Sequence, residues 1–187
     1  MKLYLIRHGE TDYNRNRRIQ GQCDIPLNDY GRKLAYQTAE GLRDVPFDAV
    51  FTSPLVRAKE TARIVMGERK LPFYEDDRIA EISFGEYEGL CCSREHYKVP
   101  AGGESFEQVI RRTGNFLDEL IRQKEYEEKT VLISTHGCAL KALLAGIRQT
   151  PISRFWGEGV HQNCAVTILQ EKDGKIEILE EGKLFYS

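Results

Sequence analysis

Arginine and histidine stand side by side near the start of the chain, where a short apolar run ends. Arg7 and His8 follow residues 3–6, Arg57 comes soon after the apolar run 49–52, and His136 comes soon after another strand-like run. A guanidinium group is a planar fork of N–H donors that suits the oxygens of a phosphoryl group, and histidine is a known covalent nucleophile. If the fold brings these residues together, their chemistry would be phosphoryl transfer.

The arginines would also influence the charge of the imidazoles. A neighbouring positive charge disfavours protonation of a histidine, and only the neutral ring can attack. The sequence therefore predicts neutral rings at His8 and His136, with Arg7 and Arg57 holding the phosphoryl group within reach. Each residue alone has a more ordinary interpretation, as a structural histidine or a solvated arginine, so the prediction depends on their joint placement.

Phosphoryl transfer also needs a proton donor for the leaving oxygen, and Glu81 is the acidic candidate. It lies in "RIAEISFGEYEG", where apolar residues flank it. Apolar surroundings favour the protonated form of a carboxyl group, which a general acid requires. Glu86 and Glu88 are nearby alternatives. Taken alone, the segment is equally consistent with a general acid at Glu81 and with a surface carboxylate at a strand end.

Alternating strand and helix signals indicate an α/β sheet that could gather these residues. Apolar runs predict strands over residues 3–6, 49–52 and 130–134, each followed within a few residues by a helical pattern. In open α/β sheets the working groups cluster beyond the carboxyl ends of the strands. The arginine and histidine motifs all occupy such positions, so they would converge if the three strands are near neighbours.

Four helices are predicted beside this sheet. The clearest spans residues 104–123, where apolar side chains recur at three- and four-residue spacing. Ser53 and Pro54 predict the N-cap and first residue of a second helix. Two more helices are predicted at about residues 29–42 and 138–146.

The last part of the chain predicts an antiparallel hairpin. Apolar runs over residues 165–170 and 175–179 flank Asp173 and Gly174, a dipeptide that favours a type I′ turn. The sheet is therefore expected to be mixed. The least regular stretch of the whole chain, residues 89–103, is the candidate loop or lid.

Bulk composition says little about partners. The 187 residues are 41% hydrophobic and 30% charged, with a net charge of -2. This predicts one globular domain over residues 1–187 and gives no electrostatic reason to expect nucleic acid or a membrane surface as a partner. No apolar run reaches the length of a signal-peptide core or a transmembrane helix, so a cytoplasmic location is expected. Nothing in the sequence indicates an oligomeric state.

A metal-dependent hydrolase is an alternative, with His8, His136 and carboxylates as ligands. The chain lacks H-E-x-x-H and any closely spaced ligand pair, and Arg7 and Arg57 would repel a cation, so no metal is expected. The cysteines are odd in number and form no C-x-x-C pair, which predicts reduced thiols. They are Cys23, Cys91, Cys92, Cys138 and Cys164.

Five ordered motifs give the chain a resemblance to a known family. They are "RHGETDYN", "RIQGQCDIPLNDYG", "TSPLVRAKETA", "EISFGEYEG" and "STHG", the last preceded by "GGESF". The ordered set resembles the histidine phosphatase superfamily, in its phosphoglycerate mutase-like branch, over most of the chain. The resemblance implies a three-layer α/β/α sandwich around a mixed, mainly parallel sheet, and chemistry without a metal or other cofactor.

The resemblance also implies roles for individual residues. His8 matches the nucleophile that becomes a phosphohistidine, and Arg7, Arg57 and His136 match the rest of the phosphate pocket. Glu81 matches the proton donor, which then activates water for the second half-reaction. Further positions match contacts with the phosphate or the neighbouring substrate: Asn14, Gln20, Gly21 and Gly137.

Hydrolysis of a small phosphorylated metabolite is the expected reaction. The "QGQCDIPL" block looks more like the small phosphatases, such as α-ribazole phosphatase or broad-specificity phosphatases, than like the mutases. Cofactor-dependent phosphoglycerate mutases usually carry a long basic insertion where this chain has only residues 90–101, and a short lid leaves a phosphohistidine open to water. We predict that Arg94, His96 and Lys98 in this segment tune substrate choice.

Two alternatives share the same fold. One is a cofactor-dependent, phosphoglycerate mutase-type phosphotransferase. The other is a non-catalytic module that binds a phosphorylated ligand, and it is disfavoured because the chain keeps both histidines, both arginines and the acid.

Overall fold

A six-stranded sheet forms the centre of the structure, a computed structural model that describes residues 1–91, 99–155 and 159–187. In chain order the strands are β1 (Lys2–Arg7), β2 (Ala49–Thr52), β3 (Phe73–Glu75), β4 (Thr130–Thr135), β5 (Val166–Lys172) and β6 (Lys175–Lys183). Their order across the sheet is β3-β2-β4-β1-β5-β6. The first four strands run parallel to one another, whereas β5 pairs antiparallel with both β1 and β6. The sheet is mixed and mainly parallel, as predicted.

Helices connect the parallel strands within the described ranges. They are α1 (Asp12–Arg15), α2 (Asp29–Gly41), α3 (Val56–Met66), α4 (Phe106–Arg122) and α5 (Gly137–Arg148). Helix α4 lies within the predicted span 104–123 and begins at Phe106, because Ser105 is its N-cap and forms a capping box with Gln108. Helices α2 and α5 confirm the other two predictions, with α5 extending two residues further than expected.

Both faces of the sheet are covered by helices. Leu3 and Leu5 of β1 pack in one apolar cluster with residues of α4 and α5, whereas Tyr4 and Ile6 pack in another with residues of α2 and α3. Successive residues of a strand point to opposite faces, so a strand that is buried on both sides has an uninterrupted apolar sequence. The three-layer α/β/α arrangement follows, as predicted.

Helix α3 begins later than the sequence predicts. Its N-cap is Leu55 and its first helical residue is Val56, so the prediction that placed Ser53 and Pro54 in these positions is wrong. The Ser53 hydroxyl accepts a hydrogen bond from the Leu55 N–H at 3.3 Å and also lies 2.7 Å from Nε2 of His136. It therefore serves a long-range contact, which a local capping pattern cannot reveal.

The predicted hairpin joins β5 and β6. Asp173 and Gly174 have φ angles of 54° and 74°, and Lys172 pairs with Lys175 on either side of them. A type I′ turn requires positive φ at both central residues, so this dipeptide suits the turn. Both strands extend beyond their predicted ends.

Two short elements were not predicted, and part of one prediction lies outside the described residues. Helix α1 has four residues and β3 has three, which is too short for a clear periodic pattern. Residues 92–98, which carry Cys92, Arg94, His96 and Lys98 of the predicted lid, lie outside the described residues. In the part of the chain that is described, no helix combines the length and apolar character needed to span a membrane.

Candidate active site

The predicted histidines meet at the carboxyl ends of three adjacent parallel strands. Strand β4 lies between β1 and β2. The N–H of His8 donates to the carbonyl of Thr135 at 3.0 Å, and the N–H of Ser53 donates to the carbonyl of Ser134 at 3.0 Å. These bonds continue the pairing of the sheet beyond the strand ends. As a result, the ring centroids of His8 and His136 lie 5.1 Å apart.

His8 is held with one ring nitrogen available. The residue is only 2% exposed, and its Nδ1 lies 2.7 Å from the carbonyl oxygen of Gly9. Because a carbonyl oxygen can only accept, Nδ1 carries the proton in the neutral ring and Nε2 keeps its lone pair. Neutral His8 can therefore attack through Nε2.

His136 is the N-cap residue of α5 and is fully buried. Its Nε2 contacts the Ser53 hydroxyl, and its Nδ1 has no hydrogen-bond partner in the described part of the chain. The Ser53 hydroxyl can donate its hydrogen to an unprotonated Nε2 while its oxygen accepts from Leu55. That arrangement leaves the proton of a neutral ring on Nδ1, where it can be donated to a ligand.

Burial and nearby arginines keep both histidines neutral. Burial lowers the pKa of His8 well below the ordinary 6.5, and the charges of Arg57 and Arg7 lower it further. Burial is likewise the largest cause of the strongly lowered pKa of His136, followed by the Arg57 charge. These directions agree with the predicted neutral rings, although burial is a larger cause than the arginine charges from which they were predicted.

Arg57 is the second residue of α3 and is fully buried. Two backbone carbonyls hold its guanidinium group in place. Its NH1 donates to the carbonyl of Cys23 at 2.7 Å and its NH2 to the carbonyl of Gly21 at 2.7 Å. Its Nε has no partner among the described residues. Burial lowers the pKa of Arg57. The side chain stays charged because the ordinary pKa of arginine is very high.

Arg7, the last residue of β1, shows the same pattern. Its NH1 donates to the carbonyl of His161, while its Nε is buried without a partner in the described ranges. Burial is the main cause that lowers the pKa of Arg7, and the charge of Glu81 opposes it. Both arginines are therefore positioned by backbone carbonyls and keep an N–H group for another acceptor.

Glu81 lies close to both arginines but not in the apolar setting that the sequence predicts. Its Oε1 accepts from the N–H groups of Ile82 at 3.0 Å and Ala139 at 2.9 Å, and its Oε2 accepts from Cys138 at 3.2 Å. The last two donors belong to the first turn of α5, whose positive end attracts a carboxylate. The apolar neighbours in sequence pack into the core, while the carboxyl group itself is held by backbone donors.

A cavity of about 310 Å³ joins these groups. Arg7, His8, Arg57 and Glu81 line it, but His136 is not among its lining residues. The four predicted substrate-contacting residues, Asn14, Gln20, Gly21 and Gly137, also line it. The cavity has further lining residues: Arg18, Ile19, Phe84, Cys138 and Val160. Glu86 and Glu88 do not line it, so the structure favours Glu81 among the acidic candidates.

Asn14 and Gln20 are fixed by their carbonyl oxygens. Thr11 Oγ1 donates to Gln20 Oε1 at 2.8 Å, and the N–H of Thr11 donates to Asn14 Oδ1 at 3.1 Å. The N–H₂ group of an amide is a donor, so fixing the oxygen of each leaves its donor end for the cavity that both residues line.

Several residues that support the site were not predicted from the sequence. Asn163 donates through Nδ2 to the carbonyl of His8 at 3.0 Å, and Thr61 Oγ1 accepts from the N–H of Gly9 at 3.0 Å. Ser53 orients His136, as described above, and Arg112 contacts the backbone of Glu81 at 3.1 Å. Of these, only Ser53 and Thr61 lie in a motif, "TSPLVRAKETA", so the motif was the one signal that could have identified them.

The unpartnered atoms of the site favour an anion over a cation. Arg7 Nε, Arg57 Nε and His136 Nδ1 are the buried side-chain nitrogen and oxygen atoms that lack a partner in the described chain. The two arginine nitrogens are obligate donors, and the site carries two guanidinium charges beside neutral imidazoles. Among the described residues, no three His, Cys, Asp or Glu side chains are grouped so that they could hold a metal ion.

Comparisons with known proteins agree with this geometry. Residues 3–182 match the family described as "Histidine phosphatase superfamily (branch 1)". The chain is 38% identical to "Uncharacterized phosphatase PhoE" of Bacillus subtilis (strain 168), across 76% of this chain and 75% of the relative. It is 29% identical to "Adenosylcobalamin/alpha-ribazole phosphatase" of Escherichia coli (strain K12), across 96% of this chain and 95% of the relative.

A solved structure is similar over nearly the whole chain. "Bacillus stearothermophilus YhfR" superposes with a TM-score of 0.90 at 35% identity, across 98% of this chain and 97% of that protein. Together, these similarities confirm the predicted family resemblance and the phosphoglycerate mutase-like fold class.

Proposed function

Since the chain belongs to the histidine phosphatase superfamily (branch 1) and its named relatives include phosphatases, we propose that it hydrolyses phosphomonoesters through a phosphohistidine at His8. One observation carries this proposal. Two guanidinium groups each keep a buried Nε without a partner among the described residues, beside a neutral histidine whose Nε2 keeps its lone pair. A phosphoryl group supplies the acceptor oxygens and the electrophilic phosphorus that this arrangement suits.

In the first half-reaction, Nε2 of His8 attacks phosphorus and the bond from phosphorus to the ester oxygen breaks. Arg7 and Arg57 hold the non-bridging oxygens, and the Nδ1 proton of His136 adds a further hydrogen bond to them. Glu81 gives its proton to the departing oxygen, so that an alcohol leaves.

In the second half-reaction, the Glu81 carboxylate takes a proton from water. The water oxygen attacks phosphorus, the phosphorus–nitrogen bond breaks, and the neutral His8 ring is restored as inorganic phosphate forms. Phosphoryl transfer depends mainly on positioning and on stabilising charge, and fixed arginines with a backbone-held carboxyl group provide both.

The proposed substrate is a small phosphorylated metabolite. The cavity of about 310 Å³ suits a small molecule, and beyond the phosphate-binding groups it is lined by Ile19, Phe84 and Val160 as well as Arg18. The single-domain organisation, the lid role of residues 89–103, the cytoplasmic location and the absence of nucleic-acid or membrane partners stay predictions.

The proposal is tested by phosphate release from an aryl phosphate and a panel of metabolite phosphates, with excess chelator present. We expect release that resists the chelator and disappears in His8→Ala. Activity that is lost in chelator would instead point to a metal-dependent hydrolase. Release from none of the compounds, together with interconversion of phosphoglycerates, would identify a mutase.

A further inference from the structure

Arg112 lies on α4, outside the cavity, and its guanidinium group is engaged by the segment that carries Glu81. Its NH1 donates to the carbonyls of Arg78 at 2.8 Å and Ala80 at 2.7 Å, and its NH2 donates to the carbonyl of Glu81 at 3.1 Å. Three backbone carbonyls within four residues therefore share one side chain as their donor. Nothing in the proposed reaction uses Arg112 directly.

Glu104 completes this arrangement. It accepts from Arg112 Nε at 2.8 Å and from Arg112 NH2 at 2.9 Å, so five acceptor contacts occupy the five N–H groups of the guanidinium. Its Oε2 also accepts from the N–H of Ser83 at 2.9 Å. Burial raises the pKa of Glu104, but the hydrogen bonds from Arg112 and Ser83 outweigh it and lower the pKa overall. The carboxylate therefore stays charged and keeps its two partners at neutral pH.

The two residues hold the backbone on both sides of Glu81. Arg112 fixes the carbonyls of residues 78, 80 and 81, and Glu104 fixes the N–H of residue 83. The Glu81 carboxyl group is separately held by the first turn of α5. A displacement of about 1 Å in a group that must meet a reacting atom can cost roughly 100-fold in rate, so a fixed backbone matters for proton transfer.

We infer that Arg112, held by Glu104, is a positioning residue for the general acid: it fixes the backbone of Glu81 so that the carboxyl group meets the leaving oxygen. The inference rests on the proposed function, because it takes Glu81 to be the proton donor. Loss of Arg112 should therefore impair protonation of the leaving group more than attack by His8.

The test compares two substrates that differ in their need for an acid. para-Nitrophenyl phosphate has a good leaving group, and phenyl phosphate has a poorer one that depends more on protonation. The selectivity, defined as kcat/KM for the nitrophenyl ester divided by kcat/KM for the phenyl ester, is measured for Arg112→Gln, Arg112→Lys and Glu104→Gln. Glu81→Gln is the reference for a missing acid. Arg111→Gln is the matched control, since Arg111 neighbours Arg112 on α4 but its side chain is exposed.

Glu81→Gln should raise the selectivity by roughly 100-fold, near the lower end of what a general acid contributes. Arg112→Gln should raise it by about tenfold, since the acid is displaced but still present. Arg112→Lys, which keeps the charge and three donors, should give a smaller rise, and Glu104→Gln should follow Arg112→Gln in direction. The selectivity of Arg111→Gln should equal that of the unmodified protein.

Thermal unfolding of each variant separates positioning from a loss of fold. If Arg112→Gln lowers Tm and reduces activity on both substrates equally, Arg112 has only a structural role and the inference is overturned. If Arg112→Gln does not fold, Arg112→Lys and Glu104→Gln decide by the same selectivity. A selectivity that stays unchanged in Glu81→Gln itself would instead refute the general-acid role in the proposed function, and with it this inference.

Discussion

The two histidines of the site use opposite ring nitrogens, although both follow a parallel strand. His8 is tied at Nδ1 by its neighbour's carbonyl, whereas His136 is tied at Nε2 by the hydroxyl of Ser53. The first arrangement leaves a lone pair for attack, and the second leaves a proton to donate. A different hydrogen-bonded ring nitrogen thus gives each histidine a different function.

The lowered pKa of both histidines predicts a pH-dependent stability. Below about pH 6.5, the unfolded chain binds protons at His8 and His136, whereas the folded chain does not. The free energy of unfolding therefore falls as the pH falls. Each histidine contributes a slope of up to about 1.4 kcal/mol per pH unit between its unfolded and folded pKa values.

Urea unfolding between pH 7 and pH 5 measures this slope. His8→Gln removes one titrating group and should reduce the slope by up to about 1.4 kcal/mol per pH unit relative to the unmodified protein. Equal slopes for the two proteins would mean that folded His8 takes up its proton normally, which would contradict a neutral, buried nucleophile.

At Arg57, the geometry of the donor group matters as well as its charge. Arg57→Lys keeps the charge but cannot span the carbonyls of Gly21 and Cys23 while presenting another N–H to the phosphate. We expect kcat/KM to fall by about 100-fold or more, as when a fixed charge-stabilising donor is lost. Arg63→Lys, on an exposed position of the same helix, is the control and should have little effect. Near-normal kinetics for Arg57→Lys would place Arg57 outside the phosphate site.

At the level of elements, the turn that carries Gly21 connects the phosphate pocket to the Glu88 segment. Gly21 has a φ of +50°, and a Cβ atom there would lie 2.1 Å from Oε1 of Glu88. That oxygen accepts from the N–H groups of Gln22 and Phe84, and the Gly21 carbonyl accepts from Arg57. A side chain at this position would therefore disturb both the turn and the arginine.

Gly21→Ala is expected to lower both stability and kcat/KM, and Gly174→Ala, in the β5–β6 turn, provides a control. Gly174 also has a positive φ, of +74°, but a Cβ atom there would have nothing within 4 Å. Both variants incur the strain of an alanine at positive φ, about 1–3 kcal/mol, so a further loss in Gly21→Ala comes from the clash. Unfolding and kinetics measured on both proteins test this, and equal effects would show that the contact with Glu88 is unimportant.

Elements with strong local signals could be predicted from the sequence, and contacts between distant segments could not. The uninterrupted apolar strands, the apolar periodicity of α4 and the Asp173-Gly174 turn are encoded by neighbouring residues. The positions of Arg7 and His8 follow from the strand that precedes them. In contrast, the backbone donors of Glu81 come from α5, and its anchor Arg112 comes from α4. No periodic pattern encodes such pairings, which is why the setting of Glu81 was predicted wrongly.

At the scale of the whole molecule, the apolar layers on either side of the sheet hold the strand ends in register. Phe116 of α4 is 1% exposed and packs against Phe51 of β2, with ring centroids 5.8 Å apart. Phe116→Ala should reduce the free energy of unfolding by about 3–5 kcal/mol, because it removes buried contacts and leaves a cavity. Asp118→Ala, at an exposed position of the same helix, should change it by no more than about 0.5 kcal/mol. Denaturant unfolding of both variants measures these free energies. Equal decreases for the two variants would show that the packing of Phe116 against the sheet does not stabilise the fold.

A covalent phosphohistidine at His8 can be detected by trapping the intermediate. The protein is mixed with para-nitrophenyl phosphate, quenched within the first turnover under alkaline conditions that preserve phosphohistidine, and analysed by peptide mass spectrometry. We predict one phosphoryl group on the peptide that contains His8, none on the peptide that contains His136, and no label in His8→Ala. Phosphate release without any labelled histidine, or a label that persists in His8→Ala, would refute a phosphohistidine at His8.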